Sequence, residues 1–269
     1  MASRSNKLTL ADLEIPQNDL AILKNFFSLS GDDEKRLSNL KEHGLAVDEG
    51  LIADFYEHLL AQPVTKKFFS DPVVLQRAKK QQAIYFQQLV SGVYDAKYFE
   101  GRLAVGSAHH QINLAPKWYI GAFSHYLNSY AEQLLALNPK ETDKNLADFR
   151  ALVKLALLDI SVTVEAYLRQ GQLQYEERNQ AMREAEEFMR SLLDAAVNIA
   201  IYGISADGMI QSWNKGAENL IEFRSSEIVG QDFRKLFPSE EVENRRVEKH
   251  FEEVAKKGII ESTGWRLKK

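Results

Sequence analysis

The sequence predicts a mainly α-helical protein, in which a multi-helix domain is followed by a long helix and then by a smaller α+β domain. Two observations lead to this prediction. From about residue 17 to residue 190, apolar residues recur at spacings of three and four, the period of an amphipathic helix, and strand-like alternation is rare. After about residue 198, short alternating stretches and frequent glycines replace that pattern.

The first domain is predicted to contain helices of unequal length with short connections. Turn and capping residues delimit them, notably Gly44, Pro63, Pro72, Gly92 and Pro139. The predicted helices cover about 31–44, 47–61, 72–91, 96–110 and 116–137. A last long helix carries an apolar stripe of Leu146, Phe149, Val153, Leu157, Ile160, Val164 and Leu168. This pattern by itself does not decide between different all-α folds.

The last helix is predicted to continue as a linker helix over 169–190. An apolar or small residue recurs every seven positions, as in one seam of a coiled coil: Leu168, Tyr175, Met182, Met189 and Ala196. The companion positions that would complete the seam are mostly polar. We therefore expect a signalling helix that pairs with a second copy of the chain. A solvated linker helix is the alternative.

The C-terminal part is predicted to be a separate α+β domain, so that the chain divides into 1–168, 169–190 and 191–269. Two short strands, in AIYGIS and MIQSW, are expected around the turn at Asp207-Gly208. A helix over about 243–257 follows, and the segment GIIESTGWRLKK is expected to form a strand.

Composition excludes several classes of function. The chain has 269 residues and a net charge of -4, which suggests neither a nucleic-acid-binding surface nor a polybasic membrane anchor. It has no cysteine, so disulfides, thiolate metal sites and thiolate-ligated haem are excluded. The N-terminus lacks an apolar signal segment, and no stretch is long enough to span a membrane. We expect a cytoplasmic protein.

One of the histidines has unusual surroundings. The small residues Gly106, Ser107 and Ala108 precede His109 and leave room beside its imidazole for a flat ligand. Haem iron held by a neutral imidazole needs such access, and the other ring nitrogen needs a partner, often a backbone carbonyl. A histidine without such context is more often structural or at the surface. We expect that of His43, His58, His125 and His250.

The stretch from about residue 50 to residue 130 resembles the sensor domain of the bacterial globin-coupled sensors. The matching segments are LIADFYEHL and FQQLVSGVYDAKYFEGRLAVGSAHHQINLAPKWYIGAF. The resemblance implies a globin-like fold with an extra N-terminal helix and haem b as cofactor. It also implies that His109, seven residues before Pro116, is the axial iron ligand. The neighbouring His110 lies about 100° further round the helix and is the alternative ligand.

The resemblance also implies a distal tyrosine that donates a hydrogen bond to bound O2, and the matching residue is Tyr56. The alternative is that Tyr56 is a core aromatic residue of an amphipathic helix. Gln81 is a candidate second donor, with Gln82 as its competitor, because a glutamine on an apolar stripe needs a polar partner. The remaining expected pocket residues are Phe69, Ala78, Tyr85, Val105 and Trp118.

The segment from RSLLD to KLFP resembles a PAS domain of the type found in sensor histidine kinases. The residues that carry the resemblance are the Asp207-Gly208 hairpin, WNKGAE at 213–218, EIVGQ at 227–231 and Phe237-Pro238. A full domain would continue for about two more strands. A sheet that lacks strands has an unpaired edge, so we expect this part to be marginally stable by itself.

Together these features predict a haem-based sensor of a diatomic gas, with O2 as the ligand and CO or NO as alternatives. The ligand state would pass through the linker helix and the PAS domain to a missing output domain, for which we expect a histidine kinase ahead of a diguanylate cyclase. A homodimer through the last globin helices and the linker helix is expected. No partner nucleic acid or membrane is expected.

Two other classes of function were weighed. A globin enzyme, such as a dioxygenase or peroxidase, would need a reductant partner or a distal acid–base pair, and the sequence suggests neither, so we do not expect an enzyme. A haem-free globin-fold interaction module of a signalling complex is the other alternative. The presence of both His109 and Tyr56 disfavours it.

Overall fold

A computed structural model describes residues 8–13, 20–42, 49–137, 139–261 and 263–269. His43 and Gly44, which entered the predictions above, lie outside the described residues. The chain divides into two compact units, Met1–Glu176 and Glu177–Lys269. Among the described helices, none is both long enough and apolar enough to cross a membrane.

The first unit is helical throughout its described residues. A short 3-10 turn over Leu10–Leu13 precedes the helices, and another over Lys67–Phe69 follows the fourth of them. The helices, in chain order, are α1 Leu20–Phe26, α2 Gly31–Glu42, α3 Glu49–Ala61, α4 Pro63–Lys66, α5 Pro72–Leu89, α6 Ala96–Gln111, α7 Pro116–Leu137 and α8 Thr142–Ala195. The mainly α-helical fold class is therefore confirmed.

Local sequence signals explain where these helices begin. The Asp71 side chain accepts a hydrogen bond from the backbone N–H of Val73, and Pro72 occupies the first turn of α5. The Asp95 side chain likewise accepts from the backbone N–H of Tyr98 at the start of α6. The predicted ends of these helices agree with the observed ends to within about two residues, the usual uncertainty of a helix boundary.

The apolar stripe of α8 is only partly buried. Phe149 and Ile160 pack against the core, whereas Leu146, Leu157 and Leu168 are 45%, 51% and 58% exposed. The fully buried face consists of Ala151, Leu152, Leu155, Ala156, Leu158, Val162 and Ala166, together with the polar residues Asn145, Asp148, Asp159 and Thr163. Because this face combines apolar, small and polar residues, the apolar stripe does not mark it.

α6 and α8 approach each other closely at Gly106. A Cβ atom at this position would lie 2.3 Å from the carbonyl oxygen of Thr163 and 2.8 Å from the Cβ of Ala166. Only a glycine allows the two backbones to come this close. The contact lies one turn before His109, so α8 directly supports the helix that carries the predicted iron ligand.

The second unit begins with the end of α8 and contains a hairpin and several short helices. β1 Tyr202–Ile204 and β2 Ile210–Trp213 pair in antiparallel fashion, with Gly208 at φ +87° in the connecting turn, as the Asp-Gly signal predicts. α9 Lys215–Ile221, α10 Ser225–Ile228, α11 Ser239–Glu243 and α12 Arg246–Lys257 follow, with a 3-10 turn over Phe233–Leu236. The core of this unit is Ile210, Trp213, Ala217, Ile221, Ile228, Phe233, Leu236 and Phe237.

One prediction for this unit was wrong. The described residues of GIIESTGWRLKK, 258–261 and 263–269, form no strand. Their backbone makes single hydrogen bonds, from Leu267 N–H to the Leu236 carbonyl and from Lys269 N–H to the Ile221 carbonyl, instead of the continuous ladder that a strand needs. The helix expected over about 243–257 is present as α12, which begins three residues later because Arg245 adopts a left-handed conformation with φ 52°.

Candidate functional site

The first unit encloses a cavity of about 800 Å³ between α3, α5, α6 and α7. This volume lies within the range of about 300–1,000 Å³ that is usual for ligand pockets. Most of its wall is apolar or aromatic, with a few polar side chains, as expected of a cofactor site. The wall includes each of the residues predicted above for the pocket: Tyr56, Phe69, Ala78, Gln81, Tyr85, Val105, His109 and Trp118.

His109 lies in the cavity wall near the end of α6. Its ring centroid is 5.0 Å from that of Tyr119. Burial lowers the pKa of the imidazole to about 4, so the ring is neutral near pH 7. Its Nδ1 is buried and has no hydrogen-bond partner among the described residues. The backbone carbonyl partner expected for one ring nitrogen is therefore not present at Nδ1.

His110 points away from the cavity, as one further step round the helix requires. Its ring makes an edge contact with Tyr167 of α8, with 5.0 Å between the ring centroids. A Cβ atom at Gly171 would be 3.1 Å from the Nε2 of His110. The two neighbouring histidines thus have different surroundings: His109 faces the cavity, and His110 faces α8.

Tyr56 lies on α3 and is 4% exposed. Burial raises the pKa of its phenol, so the group keeps its proton and can donate a hydrogen bond. Its ring packs edge-to-face against Phe55 and Phe69. Tyr56 is therefore both a core aromatic residue and a cavity residue, and the two interpretations made from the sequence are compatible.

The two glutamines of α5 both reach the cavity. Gln81 and Gln82 occupy successive positions of the helix and both contribute to the wall. Both are candidates for a second donor next to Tyr56. Val74, Phe68 and Leu114 add apolar surface to the same wall.

A buried polar cluster, which was not predicted from the sequence, lies behind the wall. Arg102 and Asp159 are 1% and 0% exposed, and Arg102 also lines the cavity. Asp159 accepts hydrogen bonds at Oδ2 from the hydroxyls of Tyr85, at 2.9 Å, and Tyr98, at 2.8 Å. A signal was present in the sequence: Asp159 lies four residues after Leu155 and three before Val162, and a carboxylate in such a stripe must have partners.

Helices packed around one ligand-sized cavity, with a neutral histidine in its wall, define a protein of the globin class. The model of the family described as Protoglobin matches residues 17–173, which are more than half of the chain. The chain belongs to the Protoglobin family. The predicted relationship to globin-coupled sensors is confirmed.

Two curated relatives match parts of the chain. The heme-based aerotactic transducer HemAT of Halobacterium salinarum is 27% identical over 169 residues, which cover 59% of this chain and 35% of the transducer. Two-component system protein A of Emericella nidulans is 29% identical over 83 residues, which cover 31% of this chain and 12% of that protein. This chain therefore spans about a third or less of either relative's length.

A solved structure shows the same fold. The globin domain of the Geobacter sulfurreducens globin-coupled sensor superposes with a TM-score of 0.52, covering 55% of this chain and 97% of that domain at 22% sequence identity. The globin-like fold predicted for the first unit is confirmed.

Proposed function

We propose that the first unit is a haem-based sensor of a diatomic gas, with haem b in the cavity, His109 as the iron ligand and O2 as the gas. The observation that carries this proposal is the neutral imidazole of His109 in the wall of an apolar cavity. A neutral imidazole is a ligand of haem iron in proteins, and the neighbouring His110 lies outside the described wall.

The wall of the cavity suits a porphyrin. Aromatic and aliphatic side chains such as Phe69, Val105 and Trp118 offer apolar surface to a flat macrocycle. When bound, haem iron supplies a coordination position for a diatomic gas. The HemAT relative is a heme-based transducer, which supports the same cofactor for this chain.

Tyr56 is proposed as the distal hydrogen-bond donor. Its phenol keeps its proton because burial raises its pKa, and it lies in the cavity wall on α3, whereas His109 lies on α6. A phenol donor distinguishes O2, which accepts a hydrogen bond well, from CO, which accepts one poorly. Gln81 or Gln82 would assist it. CO and NO are alternatives for the physiological gas.

An absorbance spectrum tests this proposal. The full chain, purified with a haem supply, should show an intense Soret band that shifts when the reduced protein binds CO. His109→Ala should lose the band, because a neutral imidazole is the ligand that holds the iron. His110→Ala is the matched control and should keep the band, because His110 faces α8. An unchanged spectrum in His109→Ala together with a lost band in His110→Ala would show that His110, and not His109, is the iron ligand.

We further propose that the chain is a regulatory part of a two-component system rather than an enzyme, acting in the cytoplasm on a histidine kinase output. The similarity to the two-component system protein of Emericella nidulans and the PAS-like sequence of the second unit support this output. Autophosphorylation by the complete system should differ between its CO-bound and ligand-free forms. Gas-dependent synthesis of a cyclic dinucleotide from GTP would instead favour a cyclase.

We also propose that the protein forms a homodimer through α8. Its solvent face carries an exposed apolar stripe of Leu146, Leu157, Leu168, Tyr175, Met182 and Met189. From Leu168 onward these residues recur every seven positions, which is the spacing of a two-helix seam. Pairing with a second copy would remove this apolar surface from water.

A further inference from the structure

Asp159 and Arg102 form a buried charge pair between α8 and the wall of the cavity. Asp159 is fully buried on α8, and Arg102 is 1% exposed on α6. Their nearest charged atoms, Arg102 Nε and Asp159 Oδ2, are 3.6 Å apart. Removing either charge would leave the other buried and unpaired, which is costly, so each fixes the position of the other.

Two tyrosines complete the cluster, and they differ in what else they contact. Tyr85 of α5 and Tyr98 of α6 both donate a hydrogen bond to the same Asp159 oxygen, at 2.9 and 2.8 Å. The guanidinium of Arg102 lies 4.0 Å from the ring centroid of Tyr85 and 4.4 Å from that of Tyr98. Tyr85 lines the cavity, whereas Tyr98 lies behind it. The Tyr85 hydroxyl thus joins the cavity wall to α8 by a direct bond.

Two polar atoms of the cluster are unsatisfied. Asp159 Oδ1 and Arg102 Nε are buried, and neither has a hydrogen-bond partner among the described residues. A separation of 3.6 Å is too long for a hydrogen bond, so a small movement of Arg102 would create one. Arg102 also donates to Gln88, another residue of the wall. A change in the wall that moves Arg102 would therefore change the contacts of Asp159 on α8.

We propose that Asp159 is a positioning residue that couples the contents of the cavity to α8 through the hydroxyl of Tyr85. This inference rests on the proposed function, because it takes haem and a gas as those contents. Asp159 touches the cavity through Tyr85 and Arg102 and does not itself belong to the described wall. Since coupling between two sites is reciprocal, a change at Asp159 should also alter gas affinity.

A matched pair of variants tests whether the hydrogen bond from Tyr85 to Asp159 carries the coupling. The full chain is loaded with haem and reduced, and amide hydrogen exchange is measured over α8 residues 160–176 with and without CO. In the wild type, CO should change exchange in this segment. Tyr85→Phe should reduce the change, because it removes the hydrogen bond between the wall and Asp159, whereas the contact of Arg102 with Asp159 and the hydrogen bond from Tyr119 to Thr163 remain. Tyr98→Phe should keep it, although it removes a hydrogen bond to the same oxygen.

Reciprocity gives a second, independent measurement. Asp159→Asn should shift the CO dissociation constant by about 5-fold or more, the lower end of typical coupling between sites. Asp148→Asn is the matched control. Asp148 lies on α8, is also buried, and pairs with Arg36, which is outside the described wall of the cavity. That variant should leave CO affinity unchanged.

The outcomes separate this inference from the proposed function. Equal CO responses in Tyr85→Phe and Tyr98→Phe would overturn the inference, as would a wild type whose Soret band shifts with CO while exchange in α8 does not change. In both cases haem and gas binding would stand. A wild type without a Soret band would overturn both proposals. If Asp159→Asn fails to fold, the two tyrosine variants, which conserve shape, decide the question.

Discussion

Burial has opposite effects on the pKa values of two side chains in the cavity wall, His109 and Tyr56. It lowers the pKa of His109, which makes the imidazole a neutral ligand, and it raises the pKa of Tyr56, which keeps the phenol a donor. Both shifts have one cause, the cost of a charge in a low-dielectric site. Under the proposed function, the same apolar wall would keep a neutral ligand for iron and a protonated donor for the gas.

The role of Tyr56 can be measured by the rate of O2 release. Tyr56→Phe keeps the ring and its contacts with Phe55 and Phe69 but removes the hydroxyl. A hydrogen bond involving a charged group contributes about 1.5–3 kcal/mol, so we expect O2 to dissociate about 10- to 150-fold faster, as stopped-flow spectroscopy would record.

The matched control for this prediction is Tyr130→Phe. Tyr130 is also fully buried on α7, but it lies outside the described wall of the cavity. Removing the hydroxyl of Tyr130 should leave the O2 dissociation rate unchanged. An unchanged rate in Tyr56→Phe would assign the donor role to Gln81 or Gln82 instead.

Single residues differed in how far the sequence could predict them. His109 and Tyr56 were found because short motifs around them resemble a known family, and the fold then placed both in one cavity. Asp159 carried no motif. Its role depends on Tyr85 and Arg102, which lie 74 and 57 positions earlier in the chain, and only folding brings these three together.

Where α6 and α8 cross, at Gly106, the two helix backbones lie very close together. Gly106→Ala would place a Cβ atom 2.3 Å from the Thr163 carbonyl oxygen, so the helices must separate. We expect the thermal unfolding midpoint to fall, with a loss of about 1–3 kcal/mol of unfolding free energy.

Gly121→Ala provides the control on α7. A Cβ atom at Gly121 meets nothing within 4 Å, and Gly121 lies outside the described wall of the cavity. Because alanine favours a helix over glycine, this variant should be about 0.5–1 kcal/mol more stable than the wild type. Equal destabilisation by the two substitutions would contradict the close approach at Gly106.

The junction of α2 and α8 should respond to pH. Asp33 accepts hydrogen bonds from the backbone and hydroxyl of Ser30 and pairs with Lys154 at 2.9 Å. Burial by itself would raise the pKa of Asp33, but these bonds outweigh it and lower the pKa below 3.8. The unfolded chain then binds the proton more readily, so the stabilisation from Asp33 is complete above pH 3.8 and is lost as pH falls through the lower, folded value.

Unfolding by urea at two pH values measures this contribution. At pH 7, Asp33→Asn should lower the unfolding free energy by about 1–2 kcal/mol, the usual value of a helix cap. At a pH below the folded pKa, the difference from the wild type should disappear. Asp32→Asn is the control, because Asp32 is exposed and its contact with Lys35 is 3.7 Å. A difference for Asp33→Asn that persists in acid would contradict the assignment.

The elements show where pattern analysis succeeds and where it does not. Capping residues and prolines placed the ends of α5 and α6 well, because those signals are local. The buried face of α8 was not identified, because it includes alanine and polar residues that average hydrophobicity undervalues. The terminal strand was mistaken as well, because a strand depends on a partner that its own sequence does not specify.

For the whole molecule, the central prediction is the dimer. Met182 and Met189 are 60% and 56% exposed on the solvent face of α8. Changing both to Lys would place like charges in the proposed seam, and we expect sedimentation to report a monomer at concentrations where the wild type is a dimer.

The control adds the same two charges on the opposite face. Gln180→Lys with Ser191→Lys places them about 160–200° round the helix from Met182 and Met189. That variant should remain dimeric. A dimer that survives the change at Met182 and Met189 would leave the exposed stripe as a solvated face.

Trp118 has a consequence for how the protein can be observed. It is one of three tryptophans in the chain and lies in the cavity wall. An excited indole transfers its energy efficiently to a strongly absorbing pigment held against it, and its emission is then quenched. The chain thus contains an intrinsic fluorophore whose brightness measures the fraction of molecules that carry a pigment, without any added label.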